Sequence, residues 1–408
     1  MSDSETKSQA TEAAIESVNG VVETRFFRHT GPEGKGVQFA DGKVLPEVTL
    51  AYEMYGEPNA DKSNVILLFH ALSGAHHAAG INESLSAEHD PVLERRWTSE
   101  LHLGWWDQFI GPGRALDTEK YCIVCANYLG HCYGSTGPAS TNPETGKPYG
   151  SAFPELTIAD VVRSQAALLD HLGVDVLHAV VGPSVGGLMA QNFAWIYPER
   201  VKIVMPIATG WKTTVYNRLI LFEQILAIEN DPHFNSGDYY DGTRPEYGLA
   251  LARMISHKTF VHLDAIERRA RRTIVQPEGQ LAWYEVRDPF QSYMLYQGKK
   301  FVERFDANTY LRIIDMWARF DPVRDSGFET VSELFAGARE HNHRYLVFSI
   351  DSDFCFYPEE QQEIVRHLEA NDVRCMHITV HSDKGHDSFL LEPELFTPHI
   401  AAVLNGQV

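Results

Sequence analysis

Short, uniformly apolar runs that recur along the chain, with helix-like text between them, restrict its fold more than any other feature. They are Val65 to His70, Tyr121 to Asn127, Val176 to Val181, Val201 to Ile207, Tyr345 to Ile350 and Val373 to Val380. A strand with one wet face alternates apolar and polar residues. Runs that do not alternate are covered on both faces, which is the pattern of a mostly parallel sheet flanked by helices. From about Val21 to Ala51 the text changes to short β-like pieces punctuated by Gly and Pro, as in FADGKVLPEVTLAYEMYG, and reads as antiparallel strands at the sheet edge. Between Trp211 and Gly337 the strand signal stops, and stretches such as NRLILFEQILAIEN and YGLALARMISHKTF are helical. The expected organisation is therefore an α/β core over 21–210 and 336–408, an inserted helical cap over 211–335, and a polar tail over 1–20 with the composition of a disordered segment.

Charge narrows the partners. The chain has 55 acidic and 35 basic residues, a formal net charge of −20, and no long Lys/Arg run, so nucleic acid is not an expected partner. No stretch of apolar residues is long enough to span a bilayer, and the first residues contain no apolar signal core; no membrane partner and a cytoplasmic location are the default expectations. Five cysteines, an odd and sparse count, suit a reducing compartment. Cys122 and Cys125 form a single CxxC inside the apolar run YCIVCAN, where residues three apart face opposite sides of a strand; a core role is expected rather than zinc or redox chemistry. The pair His76 and His77 has no spaced carboxylate partner in the text, so neither a metal nor another cofactor is expected.

The most informative motif lies in LHAVVGPSVGGLMAQNFAWIYPE, where Gly182-Pro183-Ser184-Val185-Gly186 follows an apolar strand and precedes a helix. Small residues two before and two after Ser184 permit a turn tight enough to project the hydroxyl from the sheet edge, and the helix start aims N–H groups at a developing oxyanion. A serine nucleophile needs a base and an orienting carboxylate, which in this architecture follow in the order Ser, Asp, His. Asp351 and Asp353 end the strand RYLVFSI; His381 and His386, with Asp383 and Asp387, occupy the loop after VRCMHITV. On position alone either aspartate and either histidine serves. The second oxyanion donor belongs after an earlier strand, where VILLF runs into His70-Ala71-Leu72-Ser73-Gly74; Leu72 and Val185 are the expected N–H pair.

From about residue 40 to 395 the sequence resembles the homoserine O-acetyltransferase family of α/β-hydrolase proteins. The likeness is carried, in order, by blocks that include HALSG at His70, NYLGHCYGSTGPAS at Asn127, GDYYDG at Gly237, GLALAR at Gly248, SYMLYQGKKF at Ser292, RFDANTYL at Arg304, IDSDFCFYP at Ile350 and GHDSFLLE at Gly385. The resemblance implies an α/β-hydrolase fold and a triad of Ser184, Asp353 and His386. It also implies a homodimer paired through the cap, with Tyr293 and Asp387 at the substrate pocket, and Asp387 at a position tied to the amino group of homoserine.

Departures from the family matter as much. Its acetyltransferases typically carry an Arg in a segment of the form QRQAI, which holds the acceptor's carboxylate; Ile225 stands at the aligned position, and Arg218, two helical turns earlier, reads first as a surface or cap salt-bridge residue, with a shifted substitute in the pocket as the alternative. Ile314 and Ala318 replace a usual Thr and Asp, and GPSVGG replaces GGSMGG. An aliphatic residue cannot make the bidentate pair a carboxylate needs. The expected function is therefore hydrolysis of short-chain, acetyl-type esters through an acyl-enzyme. The alternative is homoserine O-acetyltransferase activity in methionine biosynthesis, with acetyl-CoA as a substrate. A non-enzymatic binder on the same scaffold would need a missing triad member, and none is missing.

Overall fold

The computed structural model describes residues 16–85, 95–272 and 284–407. The expected tail falls mostly outside these; its last part does not, since Ser17 Oγ donates to Asp107 at 2.5 Å and Asn19 Nδ2 donates to the Ile110 carbonyl at 2.9 Å.

The central sheet has eight strands: β1 (Arg25–His29), β2 (Val48–Tyr55), β3 (Val65–Leu68), β4 (Cys122–Ala126), β5 (Leu177–Pro183), β6 (Val201–Ile207), β7 (Arg344–Ile350) and β8 (Arg374–Val380), in spatial order β1-β2-β4-β3-β5-β6-β7-β8. β1 and β2 pair antiparallel with each other, as β2 does with β4; all other pairings are parallel. Alternation along the parallel strands explains the unbroken apolar text. Leu67, Val180, Val204 and Val347 enter one core, while Leu68, Ala179, Met205 and Phe348 enter the core on the other side. Cys122 and Cys125 divide between the same two cores.

Helices α1 (Ile158–Leu172) and α2 (Val185–Ile196) connect β4 to β5 and β5 to β6. Between β6 and β7 the described chain is helical: α3 (Val215–Glu229), α4 (Glu246–Phe260), α5 (Leu263–Arg272), α6 (Pro289–Arg304), α7 (Ala307–Ala318), α8 (Pro322–Ser326) and α9 (Val331–Glu340). Capping boxes begin α1 at Thr157, α3 at Thr214 and α9 at Thr330. α10 (Pro358–Ala370) joins β7 to β8, and α11 (Ser388–Leu391) and α12 (Thr397–Leu404) close the chain. A buried ion pair ties the core to the helical block: Arg96 Nη2 donates to Asp306 Oδ1 at 2.7 Å, and Asp306 also accepts from the Tyr239 and Tyr240 hydroxyls. Among the described residues no helix is long and apolar enough to cross a membrane.

Candidate active site

β5 ends at Pro183 and α2 begins at Val185, so Ser184 is the whole turn between them, held at φ 58° and ψ −131°. A non-glycine residue in that region costs on the order of 1–3 kcal/mol and persists only where its surroundings impose it. The surroundings are the close contacts that the small residues allow: a Cβ on Gly182 would lie 2.1 Å from the Gly186 carbonyl oxygen, and one on Gly186 would lie 2.4 Å from the Phe69 carbonyl oxygen. The second contact also sets the segment after β3 directly against the first turn of α2. As its first residue, Val185 has no intrahelical acceptor for its N–H. Among the described residues the Leu72 N–H likewise donates to no protein group.

Ser184 Oγ lies 2.8 Å from His386 Nε2, and His386 Nδ1 lies 2.6 Å from Asp353 Oδ2. Asp353 Oδ1 accepts from the backbone N–H groups of Cys355 and Phe356 at 2.7 and 3.0 Å, which fixes its rotamer. All three side chains are buried, and the imidazole is enclosed by the rings of Phe260, Phe356 and Phe389. The other two residues left open by position pair with each other at the surface: His381 Nδ1 and Asp351 Oδ2 are 2.7 Å apart. Asp383 accepts from Arg268. A hydroxyl, an imidazole and a carboxylate in one hydrogen-bonded line, beside two free N–H groups, can form and discharge an acyl ester.

The residues assigned to the acceptor pocket scatter. The side of α3 facing the hollow beside Leu72 carries Asn217, Leu221 and Gln224; Ile225 lies on the other flank, in an outer groove with Phe222, Glu229 and Arg312. Arg218 is exposed in a third groove with Asp41 and Asp321. Neither lines the hollow beside Leu72, so the identity of residue 225 does not decide what that hollow holds. Sequence position along α3 does not fix helical phase, and phase decides which groove a residue faces. Ile314 is buried in the core, and Ala318 lines the groove that holds Arg218. Tyr293 is buried against Val261, Ala265 and Ile266, with its hydroxyl 3.1 Å from His257 Nε2.

A different cation, Arg253 on α4, lies nearer the triad's aromatic enclosure. Its guanidinium carbon lies 5.4 Å from the centroid of Phe260, the ring that packs on His386, and 4.8 Å from that of Phe301. Among the described residues the guanidinium makes no hydrogen bond or ion pair. Burial, and then the nearby Arg304, lower its pKa, while Tyr310 and Asp387 act the other way. The Asp387 carboxylate is also unbonded among the described residues; burial raises its pKa, against the pull of His386 and Arg253. A signal for Arg253 was present in the text: Leu249, Ala252, Arg253, Ser256, His257 and Phe260 share one helical stripe, and a guanidinium on the inward stripe of a helix needs a reason.

His76 and His77 belong to a buried network. His77 Nδ1 is 2.8 Å from Glu53 Oε2, and Tyr55 donates to the same carboxylate oxygen at 2.6 Å. Burial opposes the Glu53 charge, yet the hydrogen bond and charge of His77 bring its pKa down to about 2. Burial lowers His76 to about 4, His70 and His257 to about 3, and His131 well below its ordinary value. These four are neutral when folded and take up protons on unfolding, so stability is complete above about pH 6.5 and falls as pH drops toward the folded values. Glu360, raised to about 8 by burial, has the opposite sign and offsets one of them. Each uncompensated histidine should cost on the order of 1–2 kcal/mol by about pH 5. Thermal melts should therefore drop steeply from pH 7 to 5, before most carboxylates titrate; a midpoint constant over that range would contradict this reading.

Comparison with known proteins adds to this geometry. The α/β-hydrolase-fold family profile matches residues 64–393. A homoserine O-succinyltransferase from Acidithiobacillus ferrooxidans is 42% identical over 367 residues, covering 89% of this chain and 90% of that one. A homoserine O-acetyltransferase from Methanohalobium evestigatum is 41% identical over 375 residues, covering 91% and 71%. Among solved structures, esterase E22 is similar with a TM-score of 0.81 and 26% identity, covering 94% of this chain and 100% of that one. The expectation of ester hydrolysis is overturned by the far higher identity to homoserine O-acyltransferases over nine-tenths of the chain, and its structural premise fails with the position of Ile225.

Proposed function

We propose, on the premise that the chain belongs to the homoserine O-acyltransferase family of α/β hydrolases, that it transfers an acyl group from a CoA thioester to the hydroxyl of homoserine. The observation that carries this reading is the pair Arg253 and Asp387. An unpaired guanidinium and an unpaired carboxylate flank the histidine, and they complement the carboxylate and ammonium of a free amino acid. An ester hydrolase needs neither.

Ser184 attacks the thioester carbonyl as His386 takes its proton, and Asp353 accepts from Nδ1–H to hold the tautomer and stabilise the imidazolium. The N–H groups of Leu72 and Val185 hold the oxyanion. The CoA sulfur leaves with the proton from His386, and an acyl-Ser184 ester remains. His386 then takes the proton of the homoserine hydroxyl as that oxygen attacks the acyl carbonyl, and returns it to the departing Ser184 Oγ, which regenerates the free serine. Water competes for that ester, so transfer depends on holding the acceptor in attacking position. We assign acetyl as the acyl group, because the hollow beside Leu72 is lined by uncharged residues, among them Leu221, Ser256, Phe260, Trp317 and Cys355. A succinyl carboxylate there would be buried unpaired, at a cost of several kcal/mol.

The test supplies acetyl-CoA and L-homoserine to the purified protein. Released CoA thiol should be matched by O-acetylhomoserine; thiol matched instead by free acetate would refute the reading.

A further inference from the structure

The loop that carries Leu72 is pinned carbonyl by carbonyl. The Tyr128 hydroxyl donates to the His70 carbonyl, Trp105 Nε1 to that of Ala75 at 2.9 Å, and the Tyr55 hydroxyl to that of His76 at 3.1 Å. Those donors all come from the core. The Ser73 carbonyl is different: its donor is Arg304 Nη1, at 3.2 Å, from the last residue of α6 in the helical block.

The Ser73 peptide is not isolated. Its other end, the Gly74 N–H, donates to the Ala71 carbonyl at 2.9 Å, an oxygen that His70 Nδ1 also approaches at 2.8 Å, and the Ala71 peptide ends in the Leu72 N–H, which is unbonded among the described residues. The bonds therefore run in one direction, from guanidinium N–H to the Ser73 carbonyl, through that amide to the Ala71 carbonyl, and through the second amide to Leu72. Amides bonded head to tail polarise one another, and a cation at the donor end strengthens every N–H downstream.

We propose that Arg304 is a positioning residue for the acyl-transfer step: its guanidinium orients and polarises the two-amide relay that ends at the Leu72 N–H, and so strengthens that group as an oxyanion donor. The proposal rests on the reading of Leu72 as an oxyanion donor in the function proposed above. The side chain is built for a fixed task. Arg304 is 15% exposed, its Nη1 also donates to the Tyr133 hydroxyl at 3.0 Å, and that hydroxyl donates to the Arg304 carbonyl at 2.8 Å. Glu100 Oε2 lies 3.8 Å from its Nε. The Phe301 ring, 5.2 Å from the Arg304 guanidinium carbon, is the ring that Arg253 also contacts, at 4.8 Å. One aromatic side chain thus links the cation assigned to the acceptor with the cation that holds the oxyanion loop.

Removing an oxyanion donor outright costs about 10²- to 10³-fold, so weakening one through two amides should cost about tenfold. The experiment uses the full chain and its Arg304→Met variant, mixed with acetyl-CoA carrying a carbon-13 carbonyl and no homoserine. Acetylation of Ser184 should slow about tenfold with little change in acetyl-CoA affinity. The acyl-enzyme carbonyl stretch should move to higher frequency, because a weaker donor polarises it less. Tyr133→Phe removes the hydroxyl that helps hold the guanidinium and should move the frequency in the same direction by less than Arg304→Met does. If Arg304→Met does not fold, Arg304→Lys keeps the charge but not the fork, and a smaller shift of the same sign is expected. An unshifted carbonyl in the variant that folds would overturn the relay while leaving the acyl-enzyme intact. Failure of the wild-type protein to acquire an acetyl group would instead overturn the acyl-enzyme reading, and the relay with it.

Discussion

Ser184→Ala protein is expected to lose acyl transfer by about 10⁴- to 10⁶-fold while keeping its fold. The expected loss is large because, among the described residues, the Ser184 Oγ is the hydroxyl that meets the His386 imidazole, 2.8 Å from Nε2. The fold should survive because the substitution removes one hydrogen bond of about 1 kcal/mol and no packing volume of note. The turn itself is set by the contacts of Gly182 and Gly186 and by the Ser184 N–H donating to the Ile207 carbonyl at 2.9 Å, none of which involves the hydroxyl. Steady-state turnover with acetyl-CoA and homoserine, together with a thermal melt, measures both halves. Turnover within tenfold of wild type in a folded variant would remove Ser184 from the chemistry.

Arg253→Met separates the two half-reactions. Donor acylation should proceed near the wild-type rate, since the guanidinium is assigned to the acceptor. The kcat/KM for homoserine should fall about 10²- to 10³-fold, because a carboxylate deprived of its half-buried partner loses roughly 3–4 kcal/mol. The stranded acyl-enzyme should then be discharged by water, so that acetate replaces O-acetylhomoserine as the main product. Methionine keeps contact with Phe260 and Phe301, which guards against a change that is merely one of packing. An unchanged KM for homoserine, measured with acetyl-CoA saturating, would move the acceptor away from Arg253.

Most of the scaffold was legible because both faces of a parallel strand are buried, and that burial writes itself into the text. The runs around Leu67, Val180, Val204 and Val347 are strands for this reason, and the turn at Ser184 follows from the small residues on either side of it. The choice between Asp351 and Asp353, and between His381 and His386, was not legible from position. Each pair shares one loop, and only folding shows that two of the four pair at the surface while the other two meet Ser184. The resemblance selected the pair that the structure brings together. It also points to Ile225, whose side of α3 faces an outer groove, whereas Arg253, within GLALAR, lies on the inward stripe of α4. Helical phase, not residue type, separates the two. Long-range polar pairings such as Glu53 with His77 and Arg304 with Ser73 leave no local pattern at all, since their members are distant in sequence and neither element needs them to form.

The most direct test of the account is the fate of the acyl group on one side chain. Mixed with acetyl-CoA alone, the protein should acquire a single acetyl group on the peptide containing Ser184, detected by mass spectrometry. Added L-homoserine should then remove it as O-acetylhomoserine much faster than buffer does. A Ser184 peptide that never gains the acetyl group, or one that loses it at the same rate with and without homoserine, would contradict the account.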